Sequence, residues 1–79
     1  MSFRVCLSPL IYDGNSLMDA ISAYSGICRV ELLQATPAGN EVRITAEPGI
    51  DNEARAVREF LNYLLDASLE ARLKELQGG

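Results

Sequence analysis

Residues 51–75 read DNEARAVREFLNYLLDASLEARLKE, a run with no glycine and no proline. Pro48-Gly49 punctuates the chain just before it. Asp51 is placed to act as N-cap, its carboxylate accepting the free N–H groups of a first turn. Glu53 adds negative charge at the positive end of the helix dipole, and Arg72 and Lys74 lie toward the other end. Gly78 and Gly79 stop the pattern. The run predicts one long C-terminal helix carrying two apolar stripes. Val57, Phe60, Leu64, Ala67 and Ala71 form the first; Leu61, Leu65, Leu69, Leu73 and Leu76 form the second.

One stripe roughly 100° wide suffices for a helix lying on a sheet. The plain reading of two is a broad core face. Length supports a sharper one. About 25 helical residues span roughly 37 Å, whereas a strand of about seven spans roughly 23 Å. The helix would overhang such a sheet and carry Leu69, Leu73 and Leu76 past its edge. Burying a leucine contributes about 1.5–3 kcal/mol, so this end is expected to dock on a partner or on a second copy.

Working outward, Ser2 to Ser8 alternates, with Phe3, Val5 and Leu7 on one side and Arg4, Cys6 and Ser8 on the other, the mark of a half-buried strand. Pro9 ends it, and Leu10, Ile11 and Tyr12 form an apolar link. Asp13-Gly14-Asn15 is a turn cluster. Ser16 with Asp19 resembles a capping box before a short helix from Leu17 to Tyr24, closed at Ser25-Gly26 with Gly26 as left-handed cap. Cys28 to Gln34 alternates again, with Cys28, Val30 and Leu32 inward and Arg29, Glu31 and Leu33 outward. After a loop at Pro37-Ala38-Gly39-Asn40, Glu41 to Glu47 forms a third strand with Val42, Ile44 and Ala46 inward. The short loop makes the last two strands an antiparallel hairpin.

The order is β-α-β-β-α. A right-handed crossover joins the first two strands, the third fits between them, and the sheet order is 1-3-2. Both helices cover one face. The expected class is α+β: a two-layer, ferredoxin-like form lacking its last strand. Seventy-nine residues bound one domain, 1–79. A core of that size gives modest stability, which a homodimer or a partner often supplements.

Composition excludes several functions. A net charge of -4 argues against nucleic acid as main ligand. No apolar run approaches the length of a membrane span, and Met-Ser-Phe-Arg lacks a signal-peptide core, so a cytoplasmic location is expected. Without histidine there is no His-based triad, general base or metal ligand. Two cysteines cannot alone close a structural zinc site. Alternation sets Cys6 outward and Cys28 inward, on opposite faces, so they should not form a disulfide. No catalytic group, metal site or cofactor site is expected, and the chain reads as a non-enzyme. The open sheet face would present Arg4, Arg29 and Arg43 among Cys6, Glu31, Leu33 and Glu41. This is either a solvated face with cross-strand ion pairs or a surface for a peptide or protein. The first and second strands should be edges, open to an added strand or protected by Pro9, Arg4 and Arg29.

Two segments resemble the HxsD family of the His-Xaa-Ser system. One is Tyr12 through Tyr24, where a Ser16-Leu17 helix start leads to Ala23-Tyr24. The other is Arg58-Glu59-Phe60-Leu61-Asn62-Tyr63-Leu64-Leu65-Asp66. The resemblance implies a bacterial accessory protein beside two radical SAM proteins and a target with His-Xaa-Ser repeats. The chain has no three-cysteine cluster motif, so it would not be the radical enzyme. It would present or recruit the peptide. A second expectation is a small-ligand regulatory module of ferredoxin-like form, with a pocket at a dimer interface.

Overall fold

The computed structural model describes residues 2–78. In order these form β1 (Ser2–Leu7), α1 (Gly14–Ala23), β2 (Cys28–Thr36), β3 (Gly39–Ala46) and α2 (Glu53–Gly78). The sheet is antiparallel with order β1-β3-β2, and the architecture is α+β with a long C-terminal helix. Period-two alternation explains the central strand. Val42, Ile44 and Ala46 are buried toward the helices, while Glu41, Arg43 and Thr45 between them are half-buried. The core joins these to Leu7, Cys28 and Ala20, and to Ala56, Val57, Phe60 and Leu64 of α2. Tyr24 meets Phe60 and Tyr63 edge-on, at ring separations of 5.7 and 5.5 Å.

Several boundaries differ from the sequence expectation, each for a local reason. The cap of α2 is Asn52, whose Oδ1 accepts the N–H of Arg55 at 3.0 Å; Asp51 precedes it. The cap of α1 is Asp13, whose Oδ2 accepts both the N–H and the hydroxyl of Ser16, so the helix starts at Gly14 and no Ser16–Asp19 box forms. Gly26 is not in the left-handed region, since among described residues only Gly39 and Gly49 have positive φ. Gly78 is still helical, and Gly79 lies outside the described residues.

β2 runs on to Thr36, and β3 begins at Gly39, so the hairpin loop is only Pro37-Ala38. Leu33 is the extra residue of a bulge between the pairs Leu32↔Val42 and Gln34↔Glu41. Such an insertion shifts the facing of every residue after it. Leu32 shares the helix-side face with Val42, yet it is 61% exposed, because the helical layer does not reach it.

The contacts of α2 fix its direction over the sheet. Ser2 pairs with Thr45 and Leu7 with Asn40. Phe60 of α2 packs on Tyr24, which leads into β2 where Cys28 pairs with Ala46. Ser68 meets Asp13, beyond the Leu7 end of β1. α2 therefore runs the same way as β1, from the Ser2 end of the sheet to the Leu7 end.

Candidate functional site

The last fully buried side chain of the C-terminal helix is Ser68. This side chain is fully buried, an uncommon place for a hydroxyl. It is satisfied twice: Oγ donates to the Leu64 carbonyl at 2.8 Å and accepts the Asp13 N–H at 2.9 Å. One turn later the Arg72 guanidinium donates to the Pro9 carbonyl at 3.4 Å. These bonds fasten the link between β1 and α1 to the side of α2. The Ser68→Ala variant strands the Asp13 amide and is expected to cost about 1–3 kcal/mol, read as a lowered urea midpoint with the helical circular-dichroism spectrum retained.

Beyond Ser68 the leucine side of the rod is exposed. At 1.5 Å per residue the 26-residue helix is roughly 39 Å long, and the molecule measures 44 × 23 × 16 Å. Leu61 and Leu65 of the second stripe are half-buried. Leu69, Leu73 and Leu76 are 49%, 57% and 81% exposed. Their spacing of four and then three is that of a coiled-coil seam. Leu10 and Ile11, beside the Arg72 contact, are exposed as well. The structure thus gathers apolar surface at one pole.

The arginines of the open sheet face are each tied to a carboxylate. Arg4 pairs with Glu41, Arg43 with Glu31 at 3.4 Å, and Arg29 with Glu47 at 3.4 Å. Arg4 and Arg43 sit directly opposite one another in the register, so the glutamates offset a like-charge contact. The three arginines are therefore already committed, in an exposed setting where each pair contributes little. They do not join the leucines in one site.

Cys6 is exposed and Cys28 buried, and both are free thiols. Burial raises the thiol pKa of Cys28 above its ordinary value, and the charge of Glu47 adds to the rise, so the thiolate needed for nucleophilic chemistry is disfavoured. Burial, followed by Glu59, raises Tyr24 in the same way. Among the described residues no cluster of three or more His, Cys, Asp or Glu is arranged to hold a metal. Among them, too, no helix is long and apolar enough to cross a membrane.

Two concavities flank the α1 N-terminus. A cleft of ≈ 220 Å³ at the Leu7 end is lined by Tyr12, Asp13, Thr36, Gly39 and Asn40 among others. A more open groove of ≈ 340 Å³ lies between α1 and α2, with Asp19, Glu70 and Glu75 around Tyr63, Ala67 and Ala71. Sequence reasoning named neither, because each combines residues far apart in the chain. No protein-family model, curated protein or solved structure gives a match to this chain.

Proposed function

We propose that this chain is a non-catalytic adaptor whose exposed helix end docks on a protein partner. The exposure of Leu69, Leu73 and Leu76 past the Ser68 anchor carries the reading. A seam at this spacing suits a partner that offers a complementary apolar helix face. The resemblance of Tyr12–Tyr24 and Arg58–Asp66 to the HxsD family supports a particular setting: recruitment of a His-Xaa-Ser peptide to a radical SAM protein, in a bacterial cytoplasm. The chain itself then supplies no cofactor and performs no bond chemistry.

The test is calorimetry or pull-down with the radical SAM protein. Micromolar binding is expected, weakened on the order of a hundredfold in a Leu69→Ser, Leu73→Ser, Leu76→Ser variant. The three positions lie outside the core, so the variant should still melt cooperatively. Absence of binding at micromolar concentration would refute the setting. Unchanged binding by the triple variant would refute the docking end. The cleft beside Gly39 favours a second reading, a small-ligand regulatory module. A thermal shift with metabolites but not with the protein partner would select it.

A further inference from the structure

The two helices differ in length, and the shorter one ends beside the longer. Tyr24 at the close of α1 meets Phe60 and Tyr63 of α2, and Asp13 at its start meets Ser68. α1 therefore runs antiparallel to α2 and gives out level with Ser68, while α2 continues to Gly78. The open groove of ≈ 340 Å³ lies at this step. At 100° per residue Tyr63, Ala67, Glu70, Ala71 and Lys74 fall within an arc of about 100°. The ring contact of Tyr63 with Tyr24 fixes that arc on the side of α1. Asn15 and Asp19, one turn apart, supply the opposite wall.

The floor of the groove is apolar. Ala67 and Ala71 are half-buried and leave room above them, and Tyr63 is 40% exposed. The rim is charged, with the carboxylates of Asp19, Glu70 and Glu75 set against the single ammonium of Lys74. Among the described residues these four side chains form no ion pair, whereas Arg4, Arg29, Arg43 and Arg55 each meet a glutamate. An apolar floor under an acidic rim is complementary to a cation with an apolar stem.

The spread of the carboxylates narrows the choice of cation. Among the described residues no three acidic groups converge to hold a metal ion, so the matching charge must be distributed along a chain. The shape agrees. Small-molecule sites enclose about 70–90% of their ligand, and this groove is open along its length. Arginine fits it better than lysine. Its planar fork can take one carboxylate from each wall, and the same plane stacks on an aromatic face such as that of Tyr63.

We propose that the groove between α1 and α2 binds an extended, arginine-bearing segment of a partner protein. The guanidinium lies between Asp19 and Glu70, and its stem rests on Ala67 and Ala71 beside Tyr63. Leu69 lies about 160° around α2 from Ala67, so the groove and the leucine stripe are separate surfaces and either reading can fail alone.

The probe is a blocked octapeptide of alternating arginine and alanine, titrated into the ¹⁵N-labelled full chain. Amide shifts are expected to concentrate at Asn15, Asp19, Tyr63, Ala67 and Ala71. Asp19→Asn combined with Glu70→Gln should weaken binding on the order of tenfold. Ala71→Leu, which fills the floor and leaves the charge unchanged, should weaken it as much. Asp19 and Glu70 are exposed, so their variant should keep its melting behaviour. The same peptide with citrulline in place of arginine should not bind, and the Leu69→Ser, Leu73→Ser, Leu76→Ser variant should bind arginine peptide as the parent does. An absence of shifts up to about 1 mM peptide overturns the proposal. So does equal binding of the citrulline peptide, indifference to the two carboxylates, or shifts centred on Glu31 and Glu47 of the open sheet face. Spermine giving the same shifts at the same concentration would also overturn it, in favour of a free polyamine.

Discussion

Replacing Phe60 with alanine is expected to remove about 3–5 kcal/mol of stability, the range for deleting a fully buried aromatic ring. Phe60 has no exposed surface, sits where α2 crosses the sheet, and takes the edge of Tyr24 at 5.7 Å. A domain of 79 residues has roughly 4–12 kcal/mol in total at 0.05–0.15 kcal/mol per residue. The variant should therefore lose most of its resistance to urea, or be partly unfolded in its absence. The contrast within one helix is the informative part. Leu69→Ala, nine residues later, removes a side chain that is already half exposed, and should cost a small fraction of that amount. Matched urea titrations would measure both. Equal costs would mean that the helix end is packed after all, and the docking reading would lose its basis.

The same contrast separates what was legible in the chain from what was not. Alternation in Ser2–Leu7 and Glu41–Ala46 and the three-four spacing after Glu53 are local patterns, so the element order and the central position of β3 could be read directly. The surplus of leucine on α2 was legible for the same reason: it needs only a count of stripes and a comparison of lengths. The caps were less clear. Asp51 and Asn52 are adjacent and both suited to the role, and the path of the chain out of β3 decides between them. Asp13 and Ser16 present the same ambiguity three residues apart. The bulge at Leu33 was hidden, because Leu32 and Leu33 are chemically alike and a one-residue slip leaves no mark in hydrophobicity. Ser68 was hidden more deeply. A serine in an apolar stripe looks like a polar interruption, and its purpose depends on an amide 55 residues away. The exposed edge of β1 followed from the strand order.

Gly39→Ala is expected to cost about 2–4 kcal/mol, although it adds a single methyl group. Two effects combine. Gly39 has φ of 149°, a conformation that residues with a Cβ rarely adopt, and forcing one into it costs on the order of 1–3 kcal/mol. The added Cβ would also lie 2.5 Å from the Leu7 carbonyl oxygen and 3.2 Å from Cys6 Sγ. The sulfur can swing aside, but a carbonyl oxygen moves only with its strand, and overpacking of this kind adds about 1–3 kcal/mol. The least costly response is for β1 to part from β3 at its Leu7 end, since β2 holds the other side of β3 along its whole length. Amide exchange should therefore accelerate first at residues 5–7 and much less in β2. The Pro37-Ala38 turn needs no such freedom, because neither residue has positive φ. Glycine at 39 is thus required by the close approach of β1 rather than by the hairpin. If the variant lost the hairpin while β1 kept its protection, that assignment would be reversed.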